Sequence, residues 1–182
     1  MLQFTLDTNT VEQVHEHKVL AVTLDEELKC QSHSDNICKQ LARILFVHGQ
    51  LKPYVSTDCR KMFFKAHILA HINYASTVLS SASEVHIKKL NSLYWQAANL
   101  ILPDRSLSTS AKLKALEILP LREQFVYNKA ELMFKVHMGL APKYVCDLLN
   151  RAPARYVSNK YVLPRTRIDQ YKTSFAFSGS SV

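Results

Sequence analysis

The sequence contains little glycine, at only 3 of its 182 residues. β-Sandwiches, β-barrels and phosphate-binding loops need many tight turns, which glycine permits. The chain has no Gly-rich phosphate loop and no G-x-S-x-G segment, which excludes the familiar nucleotide-binding and hydrolase motifs. With 47% hydrophobic and 21% charged residues its composition is that of a globular protein, and the shortage of glycine favours helices.

Paired cysteines and long apolar runs are missing as well. The four cysteines are Cys30, Cys38, Cys59 and Cys146, and they form no C-x-x-C pair and no dense framework. This usage is typical of reduced, intracellular thiols. The N-terminus lacks the basic-then-apolar pattern of a signal peptide, and no apolar run approaches the ~20 residues of a membrane helix. We therefore expect an intracellular protein, nuclear or cytoplasmic, that does not enter a membrane.

Acidic residues are few in the second half of the chain. Residues 1–83 carry 8 Lys/Arg and 8 Asp/Glu, whereas residues 84–182 carry 15 Lys/Arg and 7 Asp/Glu. The formal net charge of +8 therefore comes wholly from the second half. Such asymmetry points to a polyanionic partner, most simply nucleic acid, although a basic surface also occurs on proteins without one.

The N-terminal segment has the pattern of short β-strands. Residues 3–24 alternate between apolar and polar positions in "FTLDTNTVEQV" and are rich in β-branched residues in "HKVLAVTLD". This pattern predicts two or three short antiparallel strands. Because so small a sheet is not stable alone, either helices cover it or it belongs to a larger sheet.

From residue 32 the apolar period is helical. The first predicted helix ends near Gly49 and Pro53, and its inner face is Ile37, Leu41, Ile44, Leu45 and His48. The second begins at Ser56 and is apolar nearly all round, which predicts a central position. We expect its inner face to be Met62, Phe63, Ala66, Leu69, Ala70 and Asn73.

The third predicted helix has the clearest stripe. It begins at Ser83, stops at Pro103 and aligns Ile87, Leu90, Tyr94, Ala97 and Ile101. Shorter patterns predict helices from Thr109 to about Leu116, from Pro120 to Gly139 with Leu121, Phe125, Leu132 and Val136 in period, and over 142–149. Residues 151–182 read as a basic, mostly extended tail.

Candidate catalytic and metal-binding residues are sparse. Asp25, Glu26 and Glu27 are the nearest approach to the paired carboxylates of a two-metal site, but acids at the end of a strand more often solvate a turn or start a helix. His67 and His71 are spaced i, i+4 as helical zinc ligands are, yet the HExxH glutamate is absent. Packed or half-exposed histidines are the ordinary alternative. Cys30, His33 and Cys38 form a loose cluster that matches no zinc spacing.

The segment "KVLAVTLDEELKCQSHSDNICKQLARILF" resembles the "K-x-L-G-V-x-L-D-x-x-L-x-W-x-x-H-I" segment that follows the catalytic palm in reverse transcriptases of non-LTR (LINE-like, jockey-type) retrotransposons. The resemblance continues through "LKPYVSTDCRKMFFKAHILAHINYASTV", "HIKKLNSLYWQAANLIL", "LEILPLREQFVYNKAELMFKVHMGLAPKYVCDLL" and "LPRTRIDQYKTSFAFSGSSV". It covers nearly the whole chain, and its specificity lies in the order and spacing of the pieces.

The resemblance implies a place for each segment. Residues 18–22 match the palm-edge motif that acts as a primer grip, and residues from about 32 match the thumb, which holds the template–primer duplex. The family's catalytic aspartates lie in an upstream "ADD" motif, which this chain does not contain. A Mg²⁺ ion would belong to that missing palm, so we expect no cofactor here and no polymerase activity from this chain alone.

This sequence departs from the family at several positions. Ala21 replaces Gly, Cys30 replaces the usual Trp, and Ser34 replaces the apolar residue after His33. Glycine allows close backbone approach, so the added Cβ of Ala21 could weaken the grip. The chain also ends at Val182, where the family continues "WN-x-LP". Together these departures suggest a decayed, truncated copy of a retrotransposon (mobile element) polymerase.

The sequence therefore predicts a mainly α fold with a small N-terminal antiparallel β element and a basic tail. Its expected parts are a palm-edge β element (1–30), a helical thumb and C-terminal region (31–150) and the tail (151–182). The expected function is weak binding of an RNA–DNA or duplex template–primer, beside the missing palm and fingers of the parent polymerase. The residues expected to contact nucleic acid are Lys18, Lys88, Lys89, Arg105, Lys112, Lys114, Arg151, Arg155, Arg165 and Arg167. The alternatives are a co-opted helical protein-interaction module and a metal-dependent enzyme built on the histidines and cysteines.

Overall fold

The computed structural model describes residues 4–6, 9–11, 14–149, 161–162 and 174–180. These residues form a mainly helical fold with a small antiparallel β element at its N-terminal end, which confirms the predicted fold class. The strands are β1 (Phe4–Leu6), β2 (Asn9–Val11), β3 (Glu16–Val19) and β4 (Val22–Asp25). They pair as two separate hairpins, β1 with β2 and β3 with β4, so the expectation of two or three strands was too low.

The β3–β4 hairpin turns in two residues. Its register pairs Glu16 with Asp25 and Val19 with Val22, which leaves only Leu20 and Ala21 in the loop. Both have positive φ, 46° and 64°, as the tight turn that matches the twist of two strands requires. Asn and Gly are the usual residues there, and a residue with a Cβ costs roughly 1–2 kcal/mol in the left-handed region. The turn was therefore missed because its sequence signature is absent.

Helix α1 (Gln31–Leu51) begins directly after this hairpin. Its first turn is capped from a distance, because the Asp25 carboxylate accepts the backbone N–H groups of Lys29 at 2.9 Å and Gln31 at 3.3 Å. The helix runs through Gly49, which was expected to end it, and stops before Pro53. Its buried face includes Ile37, Leu41, Leu45 and His48, as predicted.

The next helix changes its winding in the middle. It runs as α2 (Thr57–Phe63), a π-helical segment (Phe64–Leu69) and α3 (Ala70–Asn73), and the Ser56 hydroxyl caps its start by accepting Cys59 N–H at 3.3 Å. A short helix, α4 (Ser76–Leu79), follows. A π-helix bonds i to i+5 instead of i to i+4, so the segment shifts which residues face inward.

The predicted inner face of this helix was wrong except for Leu69, which is half-buried and packs against the core. The buried side chains are Phe64, Ile68 and Ile72, whereas Met62 is 70% exposed. Asn73 is exposed and accepts a hydrogen bond from the amide of Asn128 at 2.9 Å. Since the helix is apolar nearly all round, periodicity alone could not select the face, and the π segment set it.

Helix α5 (Glu84–Ile101) lies at the centre of the described fold. Its predicted stripe is buried throughout: Ile87, Leu90, Tyr94, Ala97 and Ile101. The stripe packs against α1 and against Phe64, whose ring meets that of Tyr94 edge-on at 5.3 Å between centroids. The Tyr94 hydroxyl donates to the Leu119 carbonyl at 2.8 Å, so the one polar atom of this fully buried ring is satisfied.

The remaining helices pack around this centre. They are α6 (Thr109–Ala115), α7 (Leu121–His137), α8 (Lys143–Asp147) and α9 (Phe175–Ser180). Gly139 follows the end of α7, as predicted, and its φ of +71° is the left-handed conformation that commonly terminates helices. Leu121, Phe125 and Val136 are buried as expected, and Leu132 is half-buried.

The segment expected to be a mostly extended tail contains a short helix among its described residues. Residues 175–180 form α9, which packs on α7. Gly179 explains the close approach, since a Cβ built there would lie 2.9 Å from Met133 Sδ. The rest of the predicted tail, apart from 161–162 and Ser174, lies outside the described residues.

We predict that Ala21→Gly stabilises the chain. Glycine adopts the positive φ of this turn without the steric cost of a Cβ, so the free energy of unfolding should rise by about 1 kcal/mol. Urea denaturation measures this. Ala70→Gly is the matched control: Ala70 is exposed and helical (φ −61°), so the same change should cost about 1 kcal/mol. A loss of stability with both variants would contradict a strained turn.

Acid should destabilise the fold through its buried histidines. Burial lowers the pKa of His33, and burial with the nearby Arg60 charge lowers the pKa of His48. Each contribution is fully present above the ordinary pKa of about 6.5 and is lost as pH falls from there toward the lowered folded pKa. Between pH 6.5 and 5.5 the loss should reach at most about 1 kcal/mol per histidine, because the unfolded histidine is only half protonated at pH 6.5.

Urea denaturation at pH 7.5 and 5.5 checks this, with His48→Phe as the test variant. The new ring keeps an aromatic side chain beside Phe63, whose centroid lies 4.8 Å from that of His48. The variant should lose less stability on acidification than the parent. An unchanged pH dependence in His48→Phe would contradict the role of His48.

Candidate nucleic-acid interface

A groove of about 560 Å³ lies where the β3–β4 hairpin, α1 and the end of α3 meet. The hairpin contributes Lys18, Ala21 and Thr23; α1 contributes His33, Asn36, Ile37, Lys39, Gln40 and Arg43; the α3 side contributes Ala70, His71 and Tyr74. We call this set the basic groove. It lies within residues 18–74, in the half of the chain with no formal net charge.

The hairpin wall of the basic groove is fixed at both ends. At its tip the Tyr74 hydroxyl donates to the Leu20 carbonyl, and at its base the Ser32 hydroxyl donates to the Glu16 carboxylate. Strand β4 is half-buried along its length and packs on α1, while β3 is exposed. These contacts hold Lys18 on the exposed strand facing the helical walls.

The charge of the basic groove has one sign. Lys18, Lys39 and Arg43 line it and are exposed, and no carboxylate is among its described lining residues. Four acids of this region, Glu16, Asp25, Glu26 and Glu27, line a separate depression of about 230 Å³ together with Lys29. The basic groove is therefore lined by cations although the charges of the segment cancel in sum.

The three acids considered for metal catalysis have partners. Asp25 caps the turn into α1, Glu27 pairs with Lys29 at 2.6 Å, and Glu26 contacts the His15 ring at 3.1 Å. These contacts match the alternative interpretation, in which the acids end a strand and start a helix.

The histidines considered as metal ligands differ in their surroundings. His71 Nδ1 contacts the His67 carbonyl oxygen at 2.5 Å, and His67 itself is exposed and stacks on Phe63 at 4.4 Å. In the described part of the chain no three His, Cys, Asp or Glu side chains are placed to hold a metal ion. The metal-dependent alternative gains no support from this arrangement.

His33 is the unusual polar group of the basic groove. It is 2% exposed, and its Nε2 has no hydrogen-bond partner among the described residues. A buried polar atom without a partner is costly and calls for an explanation. Because burial lowers the pKa of His33, the ring is neutral at pH 7 and can either donate or accept at Nε2.

Four neutral polar side chains complete the groove. Asn36 and Gln40 lie one turn apart on α1 and are both exposed, and Thr23 stands across from Lys18 in the hairpin register. Tyr74 is 52% exposed, with its hydroxyl held by the hairpin. Next to the three cations, these groups offer amide and aromatic surfaces to a ligand.

The predicted phosphate contacts fall in different places. Lys18 lines the basic groove, and Lys88, Arg105 and Lys114 are exposed elsewhere. Lys89 is exposed but pairs with Asp35 at 3.4 Å. Arg151, Arg155, Arg165 and Arg167 lie outside the described residues.

Lys112 is turned inward. It is 6% exposed, and its ammonium donates to the Asn99 carboxamide oxygen at 2.7 Å. A side chain held in this way cannot reach a phosphate without giving up both its burial and its hydrogen bond, so we leave it out of the proposed contacts.

Sequence reasoning missed Lys39 and Arg43. Their spacing of i, i+4 on a helix was visible and places them on one face. They were missed because the net charge was counted over half of the chain. Such a count adds together surfaces that point in different directions, so a local cluster of cations does not appear in it.

Comparison of the chain with protein-family models, with curated proteins and with solved structures gave no match. The resemblance to non-LTR reverse transcriptases therefore stays a prediction. Among the helices described, none combines the length and the apolar character needed to cross a bilayer.

Proposed function

We propose that this chain binds nucleic acid through phosphate contacts, with the basic groove as the principal site. The observation that carries the proposal is the convergence of Lys18, Lys39 and Arg43 on one groove that no described carboxylate lines. The ammonium groups of lysine and the planar guanidinium of arginine neutralise phosphates and release the counterions bound to them. The exposed Lys88, Arg105 and Lys114 would extend the contact over a wider surface.

The resemblance supports the same proposal from a separate direction. In non-LTR reverse transcriptases the segment that Lys18 matches is the primer grip, and the thumb that follows holds the template–primer duplex. An RNA–DNA hybrid is therefore the first ligand to test. The proposed role is that of a binding fragment of an RNA-directed DNA polymerase, completed by palm and fingers from elsewhere.

A salt series on binding of a short RNA–DNA hybrid tests the proposal. We predict that the affinity measured by fluorescence anisotropy falls steeply with salt, since each phosphate contact contributes about −0.7 to −0.9 to the slope of log affinity against log salt. Lys39→Glu combined with Arg43→Glu should lower the affinity at least about tenfold and flatten the slope, by removing two contacts and adding repulsion.

Lys65→Glu combined with Lys143→Glu is the matched control. Both lysines are exposed, neither lines the basic groove, and the change in net charge is the same. If the two double variants lose the same affinity, the total charge of the protein, and not the basic groove, controls binding. A variant with Arg151, Arg155, Arg165 and Arg167 changed to Gln measures the contribution of the tail.

A second candidate function is protein interaction, and exposed apolar side chains favour it. Phe46 on α1 is 69% exposed beside a groove of about 480 Å³ between α1 and α5, and Trp95 on α5 is 45% exposed. Apolar patches of this kind often mark contacts between proteins. The salt series separates the two functions, because a protein-binding module shows little nucleic-acid affinity at any salt concentration.

We also predict no DNA synthesis by this chain. Two-metal phosphoryl transfer needs neighbouring free carboxylates, and Asp25, Glu26 and Glu27 are each engaged by local partners. Primer extension on an RNA template with Mg²⁺ should stay at background for the parent and for Asp25→Ala alike. Extension by the parent that Asp25→Ala abolishes would contradict this prediction.

A further inference from the structure

We propose that the basic groove holds one unpaired nucleotide, with its base in contact with protein side chains, and so prefers single-stranded nucleic acid to duplex. This inference rests on the proposed function and sharpens it. The groove measures about 560 Å³, within the range of roughly 300–1,000 Å³ of sites that enclose a small ligand. A cavity of this size accommodates a single nucleotide and not the full width of a duplex.

The walls of the groove suit the separate parts of a nucleotide. Lys18, Lys39 and Arg43 supply the charge for phosphate. Asn36 and Gln40 offer carboxamides, which pair with the edges of bases and with adenine above all. A groove of this size does not admit the width of a duplex, so these amides can reach the edge of a base only when that base is unpaired and turned into the groove.

Tyr74 supplies an aromatic surface at the α3 wall. Its hydroxyl is held by the Leu20 carbonyl and its side chain is half exposed in the groove, so the ring is positioned before any ligand arrives. Bases stack on aromatic side chains whatever their sequence, which is how many single-strand binding proteins work. Preorganisation of the ring lowers the entropy cost of stacking.

His33 supplies the independent observation that points to a ligand. His33 lines a groove bordered by three cations, and its buried Nε2 has no partner among the described residues. The neutral ring suits a hydrogen bond to a base or a sugar hydroxyl better than a charge contact with phosphate. A bound nucleotide would give the Nε2 of His33 the hydrogen-bond partner that the described residues do not supply.

Fluorescence anisotropy at low salt tests the inference. The ligands are dye-labelled single strands of ten nucleotides, made of dA, dT or dC, and a duplex of ten base pairs. We expect the single strands to bind more tightly than the duplex, with dA first. Tyr74→Ala should weaken single-strand binding about fivefold or more and change duplex binding less than twofold. Asn36→Ala with Gln40→Ala should remove the preference for dA and leave the salt dependence in place.

Tyr74→Phe is the matched control, since it keeps the ring and removes the hydrogen bond to Leu20. It should bind single strands within about twofold of the parent. If Tyr74→Phe loses as much as Tyr74→Ala, the hairpin contact and not stacking accounts for the effect, and the inference is overturned. Far-ultraviolet circular dichroism of each variant checks that the helices are intact. If the variants at Tyr74 do not fold, His33→Phe replaces them as the test. This change removes Nε2 in a side chain of similar volume and should weaken single-strand binding.

The outcomes for the two proposals are distinct. Salt-sensitive binding that is equal for single strand and duplex, with Tyr74→Ala affecting both alike, overturns this inference and leaves the proposed function standing. No binding of any strand at low salt, or no effect of Lys39→Glu with Arg43→Glu, overturns both.

Discussion

The packing of α1 against α5 is the constraint on which the rest of the described fold depends. Both helices bury an apolar stripe, and Tyr94 and Leu41 lie fully buried within the cluster they share. Once that face of α1 is committed to the core, the face bearing Asn36, Lys39 and Arg43 must point outward. The β3–β4 hairpin and α3 both lie beside this exposed surface of α1. The basic groove is the space that the three elements enclose.

Charges that the sequence mixes are distributed unevenly in space. The formal charges of the first 83 residues sum to zero, yet cations alone charge the lining of the basic groove, whereas Glu16, Asp25, Glu26 and Glu27 share another depression with Lys29. A hairpin produces this separation readily, because its turn brings Lys18 to one side while Asp25, at the other end of the strand pair, meets the start of α1. The local electrostatic potential of a surface, and not the summed charge of the segment, determines which ligands the surface attracts.

Those parts of the fold that the sequence predicted are the ones where a single pattern dominates. The stripe of α5, the Ser56 cap and the end of α7 at Gly139 all follow from local chemistry. The inner face of the α2 helix was not predictable, because apolar residues surround it and a π segment sets its phase. The turn at Leu20 and Ala21 lacks the glycine that normally marks it. Lys112 could not be recognised as buried, since its partner Asn99 comes from another helix.

The π segment at Phe64–Leu69 determines where this helix tolerates a change of length. A π segment accommodates more residues than regular α-helix in the same turn. Deleting one residue within the segment would let it wind as regular α-helix, while the residues before and after it keep their angles around the helix axis. Deleting one residue from the regular turn of α3 would instead rotate everything that follows by about 100°, and Tyr74 would leave the groove. A single-residue deletion is therefore milder inside the π segment than elsewhere in this helix, and relatives that retain the groove can differ in length by one residue at this segment.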